Sequence, residues 1–199
     1  MQELLFRTVK FLPVHKNNEA LALRCIKAVH GFCTQYRLND IAISFPNWSY
    51  DTVGDKLTLV SVNPLHLDSL LNQHYFNEMV IREYFSISEL RSVPPNTGYA
   101  YFFRNQAIDN AFPNADTRKQ KRLEKRAASR GEDYQSNCTN QTSPILLQHY
   151  HTLKISSKSN GNPFRLNIQR ELTTYEPPGT VTSYGLSNKS DKRFAVPLI

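Results

Sequence analysis

NEALALRCIKAVHGFCTQY, residues 18–36, carries the clearest secondary-structure signal in the chain. Its apolar residues recur at three- and four-residue spacing along one face: Leu21, Cys25, Ala28, Val29 and Phe32. Asn17 or Asn18 can cap the first turn, because an amide oxygen there accepts a hydrogen bond from a free backbone N–H. We therefore predict a helix from about residue 18 to 36 with one core-facing side. His30 lies off that side, near the C-terminal end of the helix.

The segments around this helix predict the order β-α-β-β-α-β. Strands are predicted at residues 4–12, 41–45, 56–62 and about 84–93. Asn63 as a cap and Pro64 at the first helical position predict a second helix before the last of these strands. This order is that of the ferredoxin-like motif, whose sheet is a common RNA-binding platform. We therefore predict an α+β protein with a ferredoxin-like (RRM-like) domain over residues 1–95.

Prolines and a glycine after residue 93 mark the start of a second α+β domain, residues 96–199. Its predicted strands are residues 98–106, 145–155, 164–172 and a short final strand that carries SYGLSN, residues 183–188. A helix is predicted at about residues 114–130. The loop SSKSNGNP, residues 156–163, has hydroxyls, amides and a glycine suited to phosphate or sugar contacts, although a plain polar hairpin loop has the same composition.

The predicted helix of the second domain carries most of the net charge. Residues 113–130, PNADTRKQKRLEKRAASR, hold seven bases and two acids and so supply five of the seven net positive charges. At about 100° per residue the bases lie on one half of the helix, with Leu123 and Ala127 on the other. A charge run is usually a solvated helix, but a one-sided stripe favours a polyanionic partner such as nucleic acid.

Composition narrows the class of protein further. A pI of about 9.4, with 21% charged and 11% aromatic residues, is typical of a folded basic protein. No apolar run is long enough to span a membrane, and the first residues lack the layout of a signal peptide, so we expect a cytoplasmic protein without a membrane partner. Cys25, Cys33 and Cys138 share no CxxC spacing, and we expect reduced thiols.

Several polar side chains are candidates for chemistry or recognition. His30 has a side chain suited to taking a proton from an RNA 2′-hydroxyl, although a lone helical histidine is more often a core residue. His149 and His151 alternate on one strand face, but no acidic or cysteine partner is near them in sequence, so we expect no metal. Arg104 and Gln106 project from one strand face with side chains suited to base edges.

Six segments follow one another in the order of a known family. They are AVHGF at 28–32, IAISFP at 41–46, FFRNQ at 102–106, RLEKR at 122–126, SSKSNGNPFRLNI at 156–168 and SYGLSN at 183–188. Together they resemble the CRISPR-associated endoribonuclease of type I-F systems, which cuts the repeat hairpin of a CRISPR transcript and keeps hold of the product. The resemblance covers most of the chain. It implies a ribonuclease without a cofactor, whose products are a 2′,3′-cyclic phosphate and a 5′-hydroxyl.

The resemblance implies catalytic roles for particular residues. His30 matches the general base that deprotonates the attacking 2′-hydroxyl. Ser157 matches the serine that orders the attacking ribose, but this loop is longer by about two residues than in the family, so Ser156 or Ser159 can hold that role instead. Tyr184 matches a tyrosine beside the histidine, which orients it.

RNA contacts follow from the same resemblance. Arg104 and Gln106 match the pair that reads bases at the bottom of the hairpin stem, and Phe164 matches an aromatic residue that stacks near the cut; Ser159 is a further expected contact. The contacts expected from the basic helix are Arg118, Lys119, Arg122, Lys125 and Arg126, of which the last three match arginines that follow the major groove.

Departures from the family point to a particular branch. The helix mixes lysines and Glu124 where the family has mostly arginine, which indicates a different repeat sequence. The last segment, NKSDKRFAVPLI at 188–199, most resembles versions encoded within CRISPR-carrying transposons. The partners implied are the repeat hairpin, the backbone and large subunits of a type I-F guide-RNA complex, and a TniQ-type transposition protein. Whether the system serves antiviral defence or transposition stays open.

Two other functions also stay open at this point. One is a non-catalytic subunit of the same complex that binds the hairpin without cutting it. The other is an RRM-like regulator of messenger RNA, which has less support because the strands of the first domain lack a paired aromatic platform.

Overall fold

The computed structural model describes residues 3–105, 108, 114–132, 149–156, 163–174, 179–188 and 193–199. The helices named below are α1 (Asn18–Tyr36), α2 (Pro64–Leu71), α3 (His74–Ile81) and α4 (Asn114–Ala128). The strands are β1 (Leu5–Phe11), β2 (Ala42–Ser44), β3 (Lys56–Ser61), β4 (Phe85–Ile87), β5 (Arg91–Ser92), β6 (Tyr99–Arg104), β7 (Tyr150–Ser156), β8 (Pro163–Thr173) and β9 (Val196–Pro197). The fold is α+β with two antiparallel sheets.

Local signals at helix starts behave as the sequence predicts. The helix expected over 18–36 is confirmed as α1, and its Asn17 Oδ1 accepts a hydrogen bond from Ala20 N at 2.8 Å. Asn63 Oδ1 accepts from Leu65 N at 3.0 Å at the start of α2. The side of α1 that faces the core buries Leu21, Ala22, Cys25, Ile26, Val29, Phe32 and Cys33.

The first sheet has the strand order β2-β3-β1-β4, and β5 also pairs with β1. Between its pairings with β4 and β5, residues 7–8 of β1 lie opposite the three residues 88–90. The extra residue makes a β-bulge, where Ser88 Oγ accepts a hydrogen bond from Thr8 N at 2.8 Å. The continuous strand predicted at about 84–93 is therefore wrong. The helix α3 was not predicted, because its aromatic and branched residues favour a strand by composition.

The second sheet has the order β7-β8-β6-β9. Its Phe102 ring lies 5.3 Å from Phe45 and 5.6 Å from Trp48, so one hydrophobic core joins both sheets. The prediction of a strand carrying SYGLSN is wrong, since residues 183–184 form a turn and the last strand is β9. The turn forms because Gly185 adopts a positive φ of 71° that interrupts a strand.

The chain divides into two compact units. One comprises residues 1–104 and 149–199 and holds both sheets; the other comprises residues 105–148 and holds α4. The boundary predicted near residue 95 falls between the two sheets of the first unit and stays a prediction. None of the helices in the described ranges is both long and apolar enough to cross a membrane.

Candidate active site

A turn at residues 182–187 is fixed to both sheets of the first unit. Gly185 O accepts a hydrogen bond from Ile43 N at 2.7 Å, and Ser187 N donates to Phe102 O at 2.8 Å. Gly185 has a φ of +71°, and a Cβ at this position would lie only 2.7 Å from Ile43 Cγ1. Glycine therefore allows both the backbone conformation and the close approach to β2. We call residues 182–187 the docked turn.

His30 on α1 lies against the docked turn. The rings of His30 and Tyr184 are stacked, with centroids 4.0 Å apart and planes 3° from parallel. Ser183 Oγ lies 3.0 Å from His30 Nδ1, and Thr34 Oγ1, one helical turn along α1, lies 3.5 Å from the same nitrogen. Among the described residues, the hydrogen bonds of the ring are all at Nδ1. The docked turn thus contacts one face of the His30 imidazole and its Nδ1 edge. Within the described part of the chain, Nε2 has no hydrogen-bond partner and can accept a proton.

The protonation state of His30 suits a proton acceptor. Burial lowers the pKa of His30 from its ordinary value of 6.5, and a hydrogen bond with the Ser183 backbone opposes this effect in part. A lowered pKa keeps the imidazole neutral at neutral pH. The neutral ring can accept a proton through its lone pair, as a general base must.

The residues predicted between β7 and β8 are only partly described. Ser156 is the last residue of β7, and its backbone pairs with that of Pro163 at the start of β8. Ser157 and Ser159 lie outside the described residues. The backbone of Phe164 belongs to β8, but its side chain lies outside the described part. The structure therefore gives the strand ends that hold this loop and leaves the choice of serine open.

Arg104 is the last residue of β6, where it pairs with Ile168 of β8 and is partly exposed. Since side chains alternate along a strand, Arg104 is on the same face as Phe102, which is in the core. Gln106 lies outside the described residues. Arg104 thus stands at the edge of the core, with its backbone held by the sheet.

The basic residues of α4 are exposed on the described part of the helix. Arg122, Lys125 and Arg126 are all exposed, whereas Leu123 is partly buried and Ala127 is 5% exposed. The two sheltered residues are four apart and so lie on one side of the helix. For Arg118 and Lys119 the backbone is helical, and their side chains lie outside the described part. The exposure pattern agrees with a one-sided basic surface.

His149 and His151 hold the loop after β2. His149 Nε2–H donates to Tyr50 O at 2.8 Å, and His151 Nε2–H donates to Ser49 O at 3.1 Å. The His151 ring also meets the Trp48 ring edge-on at 4.4 Å. Burial, as the largest cause, lowers the pKa of His151. Within the described ranges, no three His, Cys, Asp or Glu residues are grouped as metal ligands would be.

Two cysteines are buried free thiols. Burial raises the pKa of Cys25 to about 12 and that of Cys33 to about 11, so both are protonated at neutral pH. Cys138 lies outside the described residues.

Sequence reasoning missed Ser183 and Thr34 as neighbours of His30. Ser183 precedes Tyr184, so the SYGLSN segment already contained it. Its hydrogen bond joins residues 153 positions apart, however, and no local pattern predicts such a contact. Gly185 is a residue type that permits a turn or a close backbone approach, but it does not indicate which part of the chain is approached.

Comparison with known proteins adds a family to this geometry. The family described as CRISPR-associated protein (Cas_Csy4) matches residues 8–198. Among solved structures, the crystal structure of CRISPR RNA processing endoribonuclease Cas6b shares 12% sequence identity, with a TM-score of 0.32 over 98% of this chain and 99% of that chain. No curated protein sequence matches. Because the family match spans nearly the whole chain, the chain belongs to the Cas_Csy4 family of CRISPR-associated endoribonucleases.

Proposed function

We propose that this protein cleaves CRISPR precursor RNA at the base of the repeat hairpin, on the 3′ side of the stem, and remains bound to the product. The observation that carries the proposal is the His30 ring, stacked on Tyr184 at 4.0 Å and with Ser183 Oγ 3.0 Å from its Nδ1. A proton acceptor oriented in this way is what transesterification of RNA requires. Within a family of CRISPR-associated endoribonucleases, it is the natural centre of the reaction.

In the proposed reaction His30 Nε2 takes the proton of a ribose 2′-hydroxyl. The 2′-oxygen attacks the adjacent phosphorus in line, and the bond from phosphorus to the 5′-oxygen breaks. The products are a 2′,3′-cyclic phosphate and a 5′-hydroxyl, which receives a proton as it leaves. No metal ion is needed, because the imidazole supplies the base and protein hydrogen bonds hold the phosphate.

Ser157 follows Ser156, the last residue of β7, whose backbone pairs with that of Pro163 at the start of β8. The family resemblance matches Ser157 to the serine that orders the attacking ribose, and we assign that role to Ser157.

RNA recognition is assigned to two other parts of the chain. Arg104, held at the end of β6, and Gln106 read bases at the bottom of the stem, while Phe164 stacks near the cut and Ser159 contacts the RNA. The basic side of α4 follows the stem phosphates through Arg118, Lys119, Arg122, Lys125 and Arg126. Its exposed bases and sheltered Leu123 support this assignment. Because numerous phosphate contacts keep the product bound, each protein molecule processes about one RNA, and the kinetics are nearly single-turnover.

The finer identity follows from the sequence resemblance. We propose a ferredoxin-like first domain, which the order β2-β3-β1-β4 supports, in a cytoplasmic subunit of a type I-F guide-RNA complex. Its C-terminal segment favours a transposon-encoded version that works with the backbone and large subunits and a TniQ-type protein. The alternative is a non-catalytic subunit that binds the same hairpin.

Cleavage of a labelled hairpin from the repeat beside the gene, in EDTA, separates these two functions. We expect His30→Ala to bind with unchanged affinity and to cut roughly a hundredfold to ten-thousandfold more slowly than wild type. His74→Ala, which removes an exposed imidazole on α3, is the matched control and leaves the rate unchanged. The wild-type rate should rise as pH increases and level off before neutrality, because the pKa of His30 lies below 6.5. Tight binding without cleavage by wild type supports the non-catalytic alternative.

A further inference from the structure

The neutral imidazole of His30 has two tautomers, and only one of them serves the proposed reaction. With the proton on Nδ1, the lone pair of Nε2 is free to accept a proton; with the proton on Nε2, it is not. The tautomer of a histidine is set by the hydrogen bond made at its other nitrogen. For His30 that nitrogen is Nδ1, with the Ser183 and Thr34 hydroxyl oxygens at 3.0 and 3.5 Å.

The Ser183 hydroxyl is the partner nearest to Nδ1, with Oγ 3.0 Å away. A hydroxyl oxygen can accept a hydrogen bond from a protonated Nδ1 or donate one to an unprotonated Nδ1. Only the first arrangement leaves Nε2 unprotonated in the neutral ring, as the proposed reaction requires.

Stacking on Tyr184 does not by itself fix the positions of the His30 ring nitrogens. The two ring planes lie 3° from parallel, but a 180° rotation of His30 about χ2 leaves its ring in the same plane. That rotation exchanges Nδ1 with a carbon and moves Nε2 away from its original direction. Ser183 distinguishes the two orientations, because only a nitrogen can satisfy its hydrogen bond at 3.0 Å. Thr34 is exposed and more distant, so its influence is smaller.

We propose that Ser183 is a positioning residue that holds His30 in the Nδ1–H tautomer and aims Nε2 at the scissile nucleotide. The use of Nε2 rests on the proposed ribonuclease function. The tautomer itself is a property of the free protein and can be measured without RNA.

The first test is NMR of the full chain labelled with ¹⁵N-histidine, above the titration range of the imidazoles. The signals of His30 are those missing from His30→Gln. We expect the wild type to show a protonated Nδ1 and an unprotonated Nε2, Ser183→Ala to shift toward the Nε2–H form, and Ser183→Thr to keep the wild-type pattern. Thr34→Val is the matched control and leaves the pattern in place. An Nε2–H form in wild type overturns the proposal without any variant, and so does an unchanged tautomer in Ser183→Ala.

The second test is single-turnover cleavage of the repeat hairpin at saturating protein. Ser183→Ala should cut about tenfold more slowly with unchanged hairpin affinity, and Ser183→Thr should recover most of the rate. If wild type shows the Nδ1–H form yet does not cut, the proposed function fails and the tautomer assignment stands. If wild type cuts and Ser183→Ala cuts equally fast, the proposed function stands and the role of Ser183 is overturned.

Discussion

The docked turn and α4 are opposite kinds of functional region. The docked turn has little charge and derives its geometry from contacts between residues far apart in sequence: Gly185 with Ile43, Ser187 with Phe102, and Tyr184 with His30. In α4 the proposed RNA contacts are side chains of one continuous segment, and the bases on its described part are exposed. Placement to a fraction of an ångström matters for proton transfer, whereas attraction to phosphates tolerates mobile side chains. The geometry of the proposed reaction centre therefore depends on tertiary packing, whereas the proposed binding surface depends on the composition of one segment.

Among substitutions within the docked turn and α4, we expect the largest effect when charge is removed from α4. Arg122→Gln, Lys125→Gln and Arg126→Gln together should weaken hairpin binding on the order of a hundredfold at physiological salt, because three phosphate contacts are lost. The slope of log Kd against log salt should fall by about three, close to one for each lost phosphate contact. At saturating protein the cleavage rate should not change. Glu124→Gln on the same helix is the control and should bind equally or more tightly. Equal affinity of triple variant and wild type would contradict a role for α4.

The second prediction concerns a substitution that disturbs the conformation of the docked turn without changing its charge. Gly185→Ala should lower the free energy of unfolding by on the order of 2–3 kcal/mol, because alanine disfavours the positive φ and its Cβ overlaps Ile43. Cleavage should fall while hairpin affinity is kept. Gly31→Ala on α1 is the matched control: nothing lies within 4 Å of the added Cβ, and it should stabilise by roughly 0.5–1 kcal/mol. Urea unfolding measures both, and equal stability of the two variants counts against the docked turn.

The smallest expected effects distinguish the contribution of the Tyr184 ring from that of its hydroxyl group. Tyr184→Phe keeps the ring against His30 and should cut within about twofold of wild type, since stacking needs the aromatic face alone. Tyr184→Leu loses the parallel stack and should cut about tenfold more slowly. Single-turnover rates at saturating protein give the comparison. A Phe variant as slow as the Leu variant would make the hydroxyl, not the ring, the important group.

Features that depend on neighbouring residues could be predicted from the sequence, whereas features that depend on contacts between distant residues could not. The start and length of α1 were predictable because capping by Asn17 and periodic burial involve neighbouring residues. The bulge at Ser88 was not, because a side-chain hydrogen bond to another strand replaces a backbone pairing there. His30 was proposed from its chemistry and from family resemblance. Its partner Ser183 was missed because their contact depends on the docking of Gly185 against β2, which no sequence pattern encodes.

The distance along the chain between His30 and Tyr184 sets an order of events during synthesis. At about 5–20 residues per second, a ribosome reaches Tyr184 about 8–30 s after His30. α4 lies between the two and leaves the ribosome earlier than the docked turn. A nascent chain thus carries its basic helix for several seconds before the histidine gains its stacking partner. The proposed RNA-binding helix is therefore made before the proposed reaction centre, which is completed only as the two separated parts of the first unit come together.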